Sequence, residues 1–269
     1  MGVEIDWHED VVSSLNLIGI EVECLPAENN FKLLYCNQKV LVNLISLTNS
    51  HQAAEVLALQ QSFWNKGIYL IQLWEDIWST RKDQVIGRLC SILGLNKRLH
   101  GRKGKIVVLN QQQTDEFLVL NHIQGSAKSK YKYGLEIDGL LVAVACFSGT
   151  RPMKRIGEEY KSIELIRFAT AIGFTVTGGF SKLLQHLIKQ VKPDDVMSYA
   201  DRDWSLGQAY DLAGFQLVDT LPPAEIWLNE NTLTRYFTHR LPDGLSVSET
   251  SSHYLKIFNT GNLKYILYL

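Results

Sequence analysis

The richest run of chemically capable residues lies between Thr175 and Phe215: TVTGGFSKLLQHLIKQ, then DDVMSYADRDWSLGQAYDLAGF from Asp194 on. Its pattern predicts a strand, a Gly178-Gly179 turn, a helix, a second strand, an acidic loop, a short helix and a closing Gly214-Phe215. A glycine turn between strand and helix exposes backbone N–H groups at a helix N-terminus, which favour a phosphate or pyrophosphate. Ser181 either binds such a phosphate or caps the helix. Asp201 and Arg202 follow the second strand, where ligand crevices form in α/β folds. Asp201 suits a metal ligand or an acid/base group; the alternative is an ion pair with Arg202 or Arg167. Trp204 is expected on an exposed loop, free to stack on a nucleic-acid base.

The elements that must position these residues follow from periodicity and turn chemistry. Phe31–Leu47 predicts two strands around Asn37-Gln38, Gln52–Asn65 a helix, Ile68–Trp74 a buried strand and Thr80–Leu93 an amphipathic helix. The basic stretch Lys97, Arg98, His100, Arg102, Lys103 and Lys105 contains two glycines and no acids, and reads as an exposed loop and linker. It suits phosphate contact or plain solvation. Thr114–Leu120 is expected to be helical. Lys132–Ile137 and Leu140–Ser148 predict a hairpin around Asp138-Gly139. Ser162–Ala171 predicts a strand, on which Glu164 and Arg167, three residues apart, face opposite sides. Further strands are expected at Glu225–Leu228, Tyr236–His239 and Lys256–Leu269.

The 269 residues suffice for one large or two small domains. A net charge of -1 calls for neither nucleic acid nor membrane in bulk, so any basic surface is local. Cys24, Cys36, Cys90 and Cys146 lack zinc-ligand spacing and are expected as buried free thiols. The acidic start MGVEIDWHED lacks the apolar core of a secretory signal, and no apolar run nears the ~20 residues of a membrane helix, so a cytoplasmic protein is expected.

The string KGIYLIQLWEDIWSTRKDQVIGRLCSILGLNKRLHGRK resembles phage and mobile-element homing endonucleases related to very-short-patch repair enzymes. Glu75, Asp76 and Trp78 stand in their Glu-Asp-x-Trp motif, with Arg102 and Lys103 downstream. The resemblance implies a restriction-endonuclease-like α/β domain over residues 1–107 and DNA as a partner. Such nucleases hold a divalent metal with carboxylates on the preceding hairpin. Here residues 29–54 carry no Asp or Glu, and Leu33 and Asn43 fall where the acids belong. A nuclease-dead domain is therefore expected. The alternatives are an endonuclease with relocated acids (Glu21, Glu23, Glu75, Asp76) and a non-catalytic DNA-binding protein.

Residues 108–269 resemble the GNAT N-acyltransferase fold, and more narrowly its phage Mom-type DNA-modification branch. The resemblance rests on NHIQG (Asn121–Gly125), ELIRF (Glu164–Phe168), GGFSKLL (Gly178–Leu184), SYADRDWSLGQAY (Ser198–Tyr210) and GNLKY (Gly261–Tyr265). It implies an acyl-CoA donor whose pyrophosphate meets Gly178, Gly179, Phe180, Ser181 and Lys182. It makes Tyr210 a general acid for the thiolate leaving group, with a core aromatic packed on the sheet as the alternative, and adds Asp201, Glu164 and Arg167 as catalytic candidates. The Mom-type branch further implies an iron or other divalent metal on His122 and Asp201, with a helix cap as the alternative for His122. Together the resemblances imply a two-domain α/β protein with transfer chemistry on a base or amine. Lys97, Arg98, Arg102, Lys103, Lys105 and Trp204 are its candidate DNA contacts.

Overall fold

The structure is a computed structural model, and it describes residues 6–26, 30–153, 157, 159–241 and 253–269. The mixed α/β class expected from the strand and helix pattern is what the chain adopts. Two compact units divide it: Met1–Lys82, Asp201–Leu206 and Thr220–Asn262 form the first, and Asp83–Ala200, Gly207–Asp219 and Leu263–Leu269 the second. The boundary expected at residue 107 falls inside the second unit, because long-range strand pairing defines the units and local composition does not.

The first unit opens with α1 (Trp7–Leu17), β1 (Val22–Cys24), β2 (Lys32–Cys36), β3 (Val40–Ile45), α2 (Ala53–Trp64) and β4 (Tyr69–Trp74). The β2–β3 turn forms where expected, with positive φ at Asn37 (47°) and Gln38 (52°), the geometry a tight hairpin requires. α2 then carries the chain over so that β4 pairs parallel to β3, giving the order β1-β2-β3-β4. α3 (Glu75–Leu93) starts five residues before the expected Thr80, and its helical dihedrals break at Arg81.

In the second unit β5 (Lys97–His100), a 3-10 turn (Gly101–Lys103) and β6 (Lys105–Val108) replace the expected linker. α4 (Gln111–Asn121), β7 (Tyr131–Ile137), β8 (Leu140–Phe147), β9 (Arg151–Pro152), β10 (Lys161–Thr170), β11 (Phe174–Thr177), α5 (Gly179–Val191), β12 (Asp195–Asp201), α6 (Gln208–Leu212) and β13 (Gln216–Leu221) follow. After β14 (Glu225–Asn229), β15 (Arg235–Phe237) and β16 (Tyr254–Phe258), the chain closes with β17 (Asn262–Tyr268). The central sheet runs β13-β17-β12-β10-β8-β7-β6, with β9 paired to β10. α4 packs on one face through Phe117 and Leu118 against Val144, Cys146 and Ala169. Tyr133 and Phe147 belong to the opposite face, where Tyr133 meets His186 of α5.

In the first unit β15-β14-β16 form a small sheet whose Ile226, Leu228 and Ile257 share a core with Leu33, Leu41, Ile45, Leu70 and Trp74. Two amides interrupt that apolar face. Asn43 and Gln72 are register partners, and Asn43 Nδ2 donates to Gln72 Oε1 at 2.9 Å. The 201–206 segment lines β4: the Gln72 N–H donates to the Asp203 carbonyl, and Gln60 Nε2 donates to the Arg202 carbonyl. Arg235 grips the fully buried Asp76 with two bonds, Nε to Oδ2 at 2.6 Å and Nη2 to Oδ1 at 2.7 Å. Removing one member of such a pair leaves a buried charge unmatched. Arg235→Met is therefore expected to cost about 3–5 kcal/mol by urea unfolding, and Asp76→Leu combined with it should recover much of that loss.

Candidate functional site

The second unit's site starts from a strand irregularity. Leu165 pairs with Phe147 of β8, but Arg167 pairs with Cys146, so Ile166 is an extra, bulged residue. A bulge resets the alternation of side chains and strengthens local twist. Phe147 and Cys146 face opposite sides of β8, so Leu165 and Arg167 also do, although they are two residues apart. Glu164 and Arg167 thus share a face, contrary to the alternation expected for an unbroken strand. Arg151 meets Glu164 at the rim, 3.7 Å away.

On its other side β10 pairs in parallel with β12 only from Ser162↔Asp195 to Glu164↔Met197. Both strands continue beyond this point, and their register ends there. Ser198 stands at the fork. Its Oγ lies 3.0 Å from the Leu165 carbonyl oxygen and 2.9 Å from the Tyr210 hydroxyl. A carbonyl only accepts, so the serine proton points to Leu165 and Tyr210 donates to Ser198. Tyr210 also stacks on Tyr265 (5.0 Å) and meets Phe180 and Phe215 edge-on, and burial raises the pKa of its phenol.

Gly178 precedes α5 with φ 74°, a left-handed conformation that glycine adopts without a Cβ penalty. The strand–glycine–helix unit expected from the sequence is therefore present. Ser181 lies inside the first turn and is exposed; the N-cap position belongs to Gly178. The Phe180 ring turns into the aromatic cluster with Phe168. Lys182 Nζ donates to the carbonyls of Arg102 (2.9 Å) and Gly104 (2.5 Å).

His122 follows α4 as its C-cap residue. Its Nδ1 accepts the Gln124 N–H at 3.1 Å, which leaves the neutral ring with its proton on Nε2. Burial, then the Arg167 and Arg88 guanidiniums, push its pKa down to about 3. Two neighbouring cations oppose a metal cation at this ring. Asp201 lies in the first unit, where its Oδ1 accepts the Asp203 N–H at 3.0 Å. Among the described residues no group of three His, Cys, Asp or Glu is placed to hold an ion. The residues present do not fit the implied metal.

Other expectations change in the first unit. Trp204 is buried, and its carbonyl accepts the Tyr69 hydroxyl at 2.5 Å, so it is no exposed base-stacking platform. The four proposed relocated acids do not converge. Asp76 is bound by Arg235, and Glu75 Oε2 accepts the Leu47 N–H at 2.8 Å. Glu21 and Glu23 are exposed beside and on β1, three strands from β4, or about 14 Å at the usual strand spacing. Cys36 and Cys146 are buried as expected, but Cys24 is exposed. Lys97, Arg98, Arg102, Lys103 and Lys105 are all exposed, on strands and the 3-10 turn. A cleft of about 580 Å³ in this unit is lined by His8, Lys32, Ser46 and Glu75 among others. Burial, then Lys32, lowers the His8 pKa there.

Sequence reasoning passed over Ser198, Asp203, Gly101 and Arg235, the partner of Asp76. Asp203 accepts from both the backbone and hydroxyl of Thr260, and burial followed by the nearby Asp201 raises its pKa. The sequence signal for Gly101 was its spacing from Gly104 within the basic stretch.

No protein-family model matches the chain, and no curated protein does. Solved structures do. An acetyltransferase from Bacillus subtilis in complex with CoA is 14% identical, with 62% of this chain and 99% of that one covered at a TM-score of 0.38. IAA acetyltransferase from Bacillus cereus is 15% identical over 62% and 99% of the two chains, also at 0.38. The ribosomal-protein-S18-alanine N-acetyltransferase from Escherichia coli is 13% identical over 61% and 93%, again at 0.38. Among the described residues no helix is long and apolar enough to cross a membrane.

The lowered His122 pKa gives a signed prediction. The native ring stays neutral while the unfolded ring, with an ordinary pKa of 6.5, takes up a proton. This contribution to stability is whole above that value and is lost as pH falls toward about 3. Urea midpoints measured across that range are expected to fall less steeply for His122→Gln than for the native chain. A ring resonance titrating near 6 in the native protein and absent from His122→Gln would contradict the assignment.

Proposed function

We propose that the second unit is a GNAT-like N-acyltransferase acting at the fork between β10 and β12. The observation that carries this reading is the end of their pairing at Glu164↔Met197, with the Ser198–Tyr210 hydroxyl pair at the apex. Beyond that point the β12-facing edge of β10 has no registered partner in β12. Backbone N–H and C=O groups along such an edge suit an extended, amide-bearing arm. The order β6-β7-β8-β10-β12-β17-β13 and the glycine turn before α5 are further support from the chain's own topology.

Acyl-CoA, when bound, supplies the acyl group as a thioester. Tyr210 keeps its proton through neutral pH because burial raises its pKa, and it is suited to give that proton to a departing sulfur. Ser198 fixes the direction of the phenol. The aromatic ring cluster of Phe168, Phe180, Phe215 and Tyr265 limits water around it. Gly178 and the first turn of α5 are the elements nearest in kind to a phosphate cradle.

The wider resemblance supplies the acceptor and partner: a nucleic-acid base or other amine, in a DNA-associated protein of phage or mobile-element type. In its favour, five basic side chains between Lys97 and Lys105 are exposed. A nuclease-dead first unit is supported by Leu33 and Asn43, which face each other across β2 and β3 and are both buried.

Calorimetric titration with acetyl-CoA tests the donor, and acetyl transfer to an amine panel tests the chemistry. Tyr210→Phe is expected to keep the acetyl-CoA Kd within about threefold while lowering the transfer rate by about 10²–10⁴-fold. Unchanged transfer by this variant would remove Tyr210 from the chemistry.

A further inference from the structure

The glycine turn that would receive a donor's phosphates is covered by the chain's own basic segment. β5 runs parallel to β11 in full register, from Lys97↔Phe174 to His100↔Thr177, and so delivers Gly101 onto the first turn of α5. Gly101 is buried between exposed neighbours. A Cβ built on it would lie 2.7 Å from the Gly179 nitrogen and 3.0 Å from the Thr177 carbonyl oxygen. That position is at hydrogen-bond distance from the Gly179 amide, yet only about 1.5 Å from the Gly101 Cα. A phosphate oxygen cannot share it. At the other end of the 3-10 turn, a Cβ on Gly104 would meet the Leu135 side chain at 2.8 Å and the Glu136 carbonyl oxygen at 2.9 Å. Two glycines thus allow the turn to seat against backbone on both sides. Lys182 fastens it, with its ammonium on the carbonyls of Arg102 and Gly104.

We propose that Gly101–Lys103 is an autoinhibitory plug over the α5 N-terminus and that Lys182 is its latch, so that acyl-CoA binds only after the turn lifts. This rests on the acyl-CoA reading above for the identity of the ligand, but not for the latch itself. Lifting the plug frees the first-turn amides of α5 and releases the Lys182 ammonium. It also leaves Arg102 and Lys103, exposed in either arrangement, beside the vacated space.

A ligand that needs a minor open state binds more weakly by the fraction of molecules that are open. The sign of one substitution therefore separates a latch from a phosphate ligand. Lys182→Met keeps the aliphatic stem and removes the ammonium. If Lys182 is a latch, calorimetry should show the acetyl-CoA Kd falling, by about tenfold for the loss of hydrogen bonds from a charged donor. A Kd that rises or stays unchanged overturns the plug. Gly101→Ala, whose methyl meets backbone, is expected to act in the same direction.

Hydrogen exchange of the native chain, Lys182→Met and Gly101→Ala supplies a readout without ligand. Gly104 N–H donates to the Gly101 carbonyl at 3.1 Å, so its exchange reports closure of the turn. Exchange in the 99–106 peptide is expected to quicken about tenfold in the variants. Unchanged exchange overturns the latch whether or not acetyl-CoA binds. Quickened exchange with no acetyl-CoA binding by any form keeps the latch and rejects the acyl-CoA reading.

Discussion

One extra residue in β10 governs the second unit. With Ile166 bulged, β10 keeps its pairing to β8 through Thr170 and loses register with β12 after Glu164. A continuous sheet would saturate those backbone edges with each other. The bulge leaves them to be met by other groups, and Ser198 is the first such group, reaching across to the Leu165 carbonyl. Tyr210 is then held by Ser198, and the ring cluster is packed around Tyr210. The same bulge turns Arg167 onto the face shared with α4, where burial first, and then Arg167 and Arg88, keep His122 neutral. The polar chemistry of this unit follows from one break in strand parity.

The first unit depends on a different constraint: buried polar groups must find partners far away in sequence. Asn43 and Gln72 sit in an otherwise apolar face and satisfy part of each other's need. Asp76 is joined to Arg235 across 159 positions, and Gln60 reaches Arg202 across 142. Such pairs add little net stability compared with apolar packing, but each fixes which segment must return to which strand. Here they help return the 201–206 segment to β4 and the β15 residue Arg235 to the start of α3. The chain therefore crosses between units more than once, and no single cut can separate them.

What was legible in the sequence was local. The turns at Asn37-Gln38 and Asp138-Gly139 and the glycine before α5 each need positive φ, and residue type alone reports that. Long apolar runs such as IYLIQLW gave β4 for the same reason. What was illegible depended on pairing. A bulge adds no distinctive residue, so simple alternation places Glu164 and Arg167 on opposite faces. Lys97–His100 has the composition of a loop and becomes a strand only because β11 lies beside it. Trp204 sits among polar residues, yet is buried because its segment returns to β4. The Mom-type metal pair failed for electrostatic reasons: the guanidiniums beside His122 come from α3 and β10, and spacing in one dimension does not show them.

Lys182 joins the local and long-range cases. A cation in the first turn of a helix opposes the helix dipole, whose positive end lies there, so it needs compensating negative charge. Read locally, that need points to a bound phosphate. In the folded chain two carbonyl oxygens, from Arg102 and Gly104, supply the partial charge instead. They are available because β5 brings the 3-10 turn alongside the glycine turn, and Gly101 permits the close approach. Of the three features that point to a phosphate cradle in sequence (glycine turn, helix start and lysine), the first two are here packed against Gly101 and the third is bonded internally. A phosphate and the 3-10 turn therefore compete for one end of α5, with the Lys182 ammonium on the side of the turn. Which of them holds it is set by the balance between turn closure and donor affinity, and charge alone does not decide it.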